Sequence, residues 1–148
     1  DYRELFSRKP DAVSIAVPTT LHREVALAAI EKGIHALVEK PIADTLEAAD
    51  EIISTSKKKK TKLLVGHIER FNPAVSKLKG IINSGELGEI VSLSAKRVGP
   101  YSPRIRDVGI ILDLGAHDID IISYLFGKTL KVSLQKQGGR YTQERTTP

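Results

Sequence analysis

The residues best suited to chemistry fall in two places. Glu39-Lys40-Pro41 closes a short apolar run. A lysine there projects an ammonium that can hydrogen-bond a hydroxyl and stabilise the alkoxide formed as hydride leaves its carbon. Asp113, His117 and Asp120 recur at helical spacing, with Tyr124 continuing the stripe. A histidine one turn from a carboxylate suits general-base work, oriented and kept basic by its neighbour. Each set has an ordinary alternative. Lys40 can be an exposed lysine in a strand-to-helix turn, and the stripe can be an N-cap followed by a solvated helix face, or ligands of a divalent metal. Leu114, Ile121, Ile122 and Leu125 take the opposite arc, so the stripe is expected to face away from the helix's main apolar contact. Asp118 falls inside that arc and needs a partner, because an unpaired buried carboxylate is costly.

Other polar residues collect at predicted strand ends. His22 follows Pro18-Thr19-Thr20 at a helix start, where free amide donors suit a cofactor phosphate or ribose; a surface histidine is the alternative. His67 to Pro73 (HIERFNP) places Arg70 and Asn72 just after a strand. Arg97 to Arg106 (RVGPYSPRIR) sets Arg97, Tyr101, Arg104 and Arg106 among two prolines. Guanidinium forks suit phosphate or carboxylate, and a basic surface loop is the bland reading.

These residues need a frame to hold them. Asp11 to Val17 reads as a buried strand stopped by Pro18, and Thr20 to Lys32 as an amphipathic helix ended by Gly33. His35 to Glu39 is the next strand. Asp44 with Glu47 three residues on gives a capping-box pattern for a helix to about Ser56, and Lys62 to His67 is the third strand. Strands alternating with helices through short links predict a parallel sheet with right-handed crossovers, half of a doubly wound α/β sheet. Ligands of such sheets bind beyond the carboxyl ends of the strands, where the candidate residues of this half lie. The rhythm then changes: a helix from Pro73 to Asn83, a strand from Glu89 to Val98, a helix from Asp113 to Phe126, a strand from Leu130 to Gln137 and a polar end. Residues 1–70 are therefore expected to be the second half of a Rossmann-type parallel sheet, and 71–148 the start of an α+β substrate domain.

Composition excludes several classes. Hydrophobic residues at 41% and charged residues at 28% are those of a globular protein, with no apolar run of membrane-spanning length. Absence of cysteine removes disulfides and thiolate metal sites and fits a reducing, cytoplasmic setting. The net charge of +5 owes much to Lys57 to Lys60 with Lys62, which suit the negative end of a helix dipole. The few aromatic residues are not interleaved with the basic ones, so nucleic acid is not an expected partner.

Together, in order, the motifs resemble the Gfo/Idh/MocA family of oxidoreductases. The resemblance rests on PTTLH (Pro18 to His22), AIEKGIH before Glu39-Lys40-Pro41, Gly66-His67 with Arg70-Phe71-Asn72-Pro73, and Asp113-x-Gly115-x-His117-x-x-Asp120. It implies a Rossmann domain binding NAD or NADP and an α/β domain forming a sugar site and an oligomer interface, hence a homo-oligomer. It also implies that Lys40 hydrogen-bonds the reacting hydroxyl, His117 takes its proton and Asp113 orients or relays. Pro18, Thr19, His22, Glu39, Lys40 and Pro41 would lie on the cofactor side. Arg70, Asn72 and Asp120, with Arg97, Tyr101 and Arg104, would lie on the substrate side, where HIERFNP and the arginine-rich loop look most like UDP-sugar dehydrogenase members.

The sequence departs from the family in one respect. No GxGxxG is present, and Gly138-Gly139 opens no helix. With no methionine and a first residue Asp1, the chain reads as a segment of a longer one, expected to be inactive in isolation. The competing reading is a catalytically silent sugar-nucleotide binding or assembly module of the same fold.

Overall fold

The computed structural model describes residues 1–96 and 114–127. Their elements are α1 (Tyr2–Ser7), β1 (Ala12–Ile15), α2 (Thr19–Glu31), β2 (His35–Val38), α3 (Leu46–Lys59), β3 (Leu63–Val65), a 3-10 turn (Ile68–Phe71), α4 (Pro73–Asn83) and α5 (Ala116–Phe126). The three strands form one parallel sheet in the order β1-β2-β3, with Ile15 beside Val38 and Val38 beside Val65. Both crossover helices touch each other and therefore lie on one face of the sheet. This is the expected Rossmann-type arrangement.

Periodicity explains the core. Val25, Ala26, Ala29 and Ile30 of α2 are buried together, and the two alanines let its backbone approach the sheet closely. Ile52 and Ala48 of α3, Ile15, Ala36 and Val38 of the strands, and Ile34 and Ala43 beside them belong to the same cluster. Phe6 joins it from α1, a short helix absent from the sequence expectation although Asp1, which caps it by accepting from Arg3 N, is a good N-cap residue. β2 is not buried throughout: Leu37 and its register partner Leu64 are 37% and 63% exposed, because among the described residues helices cover only the other face.

Several boundaries shift for local reasons. α3 is capped by Thr45, whose hydroxyl accepts from Ala48 N at 3.1 Å. Thr45 has the extended backbone an N-cap requires, so the Asp44–Glu47 capping box does not form. α3 also runs on through Lys57, Lys58 and Lys59, which occupy its last turn. α2 ends as expected at Gly33, whose φ of +78° permits the Schellman pair Gly33 N to Ile30 O and Ile34 N to Ala29 O. Residues 89–96 carry no strand. Arg97 and Val98 of the expected strand, and the whole of the expected strand Leu130 to Gln137, lie outside the described residues. No helix among the described residues is long and apolar enough to cross a membrane.

Candidate functional site at the carboxyl edge of the sheet

The sheet's hydrogen bonding continues one residue past β2 and β3, with Glu39 N donating to Ile15 O at 3.0 Å and Gly66 N to Val38 O at 2.8 Å. Glu39 and Gly66 are thereby fixed side by side on the carboxyl edge. The Glu39 carboxylate lies directly over Gly66: a Cβ at that position would sit 3.1 Å from Glu39 Oε2. Only glycine leaves room for the carboxylate there without a shift. Glu39 Oε2 also accepts from Lys40 N at 3.3 Å. Lys40 is half-buried and is joined to Pro41 by a cis peptide bond.

The β1 end supplies the start of α2. Pro18 is its N-cap residue and no side chain caps the helix, whose N-terminal end lies at the carboxyl edge because it follows β1 directly. Thr19 is 6% exposed. His22, expected to approach a cofactor, is instead 1% exposed, with Nδ1 2.8 Å from the Pro41 carbonyl oxygen and Nε2 2.9 Å from that of Val17. Both ring nitrogens face backbone acceptors of the protein, so a direct cofactor contact gives way to an internal one.

The β3 end leads to α5. The 3-10 turn carries Arg70, whose guanidinium grips the Asp120 carboxylate in a fork, with Nε 2.9 Å from Oδ2 and the terminal nitrogen bonded to Oδ1. Asp120 is 8% exposed, against the expectation of an outward stripe, because α5 packs that stripe onto the 3-10 turn and α4. Hydrogen bonding to Asp120 holds Arg70 above its usual range. His67 Nδ1 stands 3.5 Å from Asp120 Oδ1. Burial holds the His67 imidazole below its usual range, against the pull of Asp120 and with the repulsion of Arg70. Tyr124 continues the cluster: Lys79 Nζ lies 3.3 Å from its ring centroid and the Arg70 guanidinium carbon 5.4 Å. Lys79 has no sequence signature, since it meets Tyr124 only through the packing of α4 on α5.

The structure thus joins Arg70 to Asp120, each expected to meet substrate, as partners of one another. Asn72 caps α4, its side-chain oxygen accepting from Ala74 N at 3.0 Å, and is exposed. His117 lies half-buried in the first turn of α5, and Asp118, expected to be buried, is also half-buried. Gly115 directly precedes α5, and the expected start of that helix at Asp113 lies outside the described residues. Asp113, Arg97, Tyr101 and Arg104 lie outside the described residues. Among the described residues no three His, Asp or Glu side chains are gathered as a metal site.

Comparison with known proteins matches both parts of the chain. Residues 1–67 fit the family model of the oxidoreductase family with an NAD-binding Rossmann fold, and residues 75–146 that of the GFO/IDH/MocA C-terminal domain. A UDP-N-acetylglucosamine 3-dehydrogenase of Acidithiobacillus ferrooxidans is 38% identical over 117 residues, 79% of this chain and 36% of that protein. The solved structure of a UDP-N-acetylglucosamine 3-dehydrogenase from the same organism gives a TM-score of 0.72 at 35% identity, covering 84% of this chain and 40% of that one. An inositol dehydrogenase homologue from Azotobacter vinelandii, complexed with NADH and myo-inositol, gives 0.55 at 34% identity over 60% of this chain and 25% of that one. The chain therefore spans little more than a third of the length of the curated relatives it matches, 36% in the first case. The parallel sheet with its Glu39-Lys40-Pro41 edge and the two family models, matched in order, have one meaning: the chain belongs to the Gfo/Idh/MocA family of oxidoreductases.

Proposed function

We propose that the protein containing this chain transfers hydride between a sugar hydroxyl carbon, in a UDP-sugar, and NAD or NADP. The observation that carries the reading is the half-buried Lys40 on the carboxyl edge of a parallel sheet, in a loop braced by Glu39 and His22, with His117 on a helix tied to the same edge through Arg70 and Asp120.

The residues present fit part of a dinucleotide. The N-terminal end of α2, which no side chain caps, brings the positive end of its helix dipole to the carboxyl edge, and Pro18, Thr19, Glu39, Lys40 and Pro41 would hold the nicotinamide side. When bound, the nicotinamide supplies the hydride acceptor. The chain's own part is proton and charge management. His117 takes the hydroxyl proton, Asp113 orients it, and the Lys40 ammonium balances the charge on the oxygen as the carbon–oxygen bond becomes a carbonyl. Arg97, Tyr101 and Arg104, with Asn72, would contact the substrate, the arginines meeting its diphosphate. Similarity to the UDP-N-acetylglucosamine enzyme favours a nucleotide sugar over a cyclitol, its identity being 38% over 79% of the chain. Residues 1–70 form the cofactor side and 71–148 the substrate side of this reading, in a cytoplasmic homo-oligomer.

No GxGxxG turn lies in these 148 residues, so the chain in isolation is inferred to be inactive. The test is to assay the whole protein against UDP-sugars and inositols with each cofactor, alongside the isolated chain. Turnover of a UDP-sugar by the whole protein alone supports the reading. Turnover of inositols only overturns the substrate, and dinucleotide turnover by the isolated chain overturns its inferred inactivity.

A further inference from the structure

His22 touches two loops at once. Its ring sits between the Val17 carbonyl oxygen, 2.9 Å from Nε2, and the Pro41 carbonyl oxygen, 2.8 Å from Nδ1. Val17 lies two residues beyond β1, and Pro41 directly follows Lys40 beyond β2. Both carbonyls belong to irregular, part-buried backbone, where polar groups off the ladder take partners from elsewhere. The ring stands between them on a rigid base, donating its one N–H to one carbonyl oxygen and packing against the other in the neutral form, since Val25, Ala26, Ala29 and Ile30 of the same helix are 0–5% exposed. The loop after β2 has a second brace on its other side, where Glu39 accepts from Lys40 N and packs on Gly66. His22 therefore holds the far side of the Lys40–Pro41 loop, and Glu39 the near side.

We propose that His22 is a positioning residue for Lys40: a strut from the buried body of α2 that sets the place of the lysine over the sheet edge. This rests on the reading of Lys40 as the residue that meets the substrate hydroxyl. A displacement of about 1 Å in such a group lowers turnover by about a hundredfold when its geometry is part of the reaction, with substrate binding less affected. A buried ring that merely filled space would be replaced by leucine without such an effect. Leucine keeps apolar bulk and offers no donor, while glutamine keeps an N–H-bearing nitrogen that can reach one of the two carbonyls.

The test compares His22→Leu and His22→Gln with the wild type in the whole protein, by amide hydrogen exchange and by steady-state kinetics. In His22→Leu the amides of Lys40, Ile42 and Ala43 are expected to exchange about tenfold faster or more, while Ile52 in the core changes less. Its kcat falls about tenfold or more with KM within about threefold, and His22→Gln recovers part of both losses. Unchanged exchange and kcat in His22→Leu would overturn the proposal. So would a uniform acceleration at the loop and at Ile52, with kcat falling only as the folded fraction falls. If His22→Leu does not fold, His22→Gln decides on the same two readings. Wild-type turnover in a Lys40→Ala protein would instead remove the role of Lys40, and the exchange pattern would still decide whether His22 holds the loop.

Discussion

At the scale of single residues, Arg70 and Asp120 form a pair that ties the turn after β3 to α5. Asp120 is 8% exposed, so removing its partner leaves a buried carboxylate without its main counter-charge. Arg70→Ala is expected to lower unfolding free energy by about 2–3 kcal/mol, less than for a fully buried pair because Arg70 itself is substantially exposed. Denaturant titration measures this, and Arg70→Lys should fall in between, since an ammonium cannot grip both carboxylate oxygens. Turnover should fall as well, because α5 carries His117 one turn before Asp120. His67 adds a pH dependence. Burial lowers its folded pKa below the ordinary value of 6.5, so the unfolded chain binds the proton more readily. The contribution is present above about pH 6.5 and is lost as pH falls towards the folded pKa. A His67→Gln protein should therefore lose less stability than wild type between about pH 7 and 5, as read by thermal melts at each pH.

At the scale of elements, what the sequence revealed follows from the range of the forces involved. Helix stops were legible where the signal is local, as at Gly33, whose left-handed backbone and Schellman bonds need only its own turn. The cap of α3 is ambiguous in the sequence, because Asp44 and Thr45 are both good cap types and only backbone geometry selects Thr45. The inward turn of Asp120 was not legible, since it depends on Arg70 fifty residues earlier. Likewise His22 reads as a ligand-facing residue until the Pro41 carbonyl, nineteen residues on, is seen to meet its ring. Lys60 illustrates a local misfit. It ends α3 with φ of 56°, a conformation in which a Cβ is disfavoured by about 1 kcal/mol or more. Lys60→Gly should stabilise the fold by about 0.5–1 kcal/mol after the flexibility of glycine in the unfolded chain is offset, giving a raised melting temperature.

At the scale of the whole molecule, contacts run along the carboxyl edge from one family module to the next. His22 spans the ends of β1 and β2, Glu39 packs from β2 onto Gly66 of β3, and Arg70 reaches from the turn after β3 to α5. Each link is ordinary alone. In sequence they set Lys40 and His117 on one continuous framework, where a parallel sheet brings its ligands. The most direct measurement is the kcat of a Lys40→Ala variant of the whole protein, folded as judged by its melting curve, with saturating UDP-sugar and dinucleotide. A loss of about a hundredfold or more is expected if the ammonium stabilises the reacting oxygen; wild-type kcat in the folded variant would contradict the account.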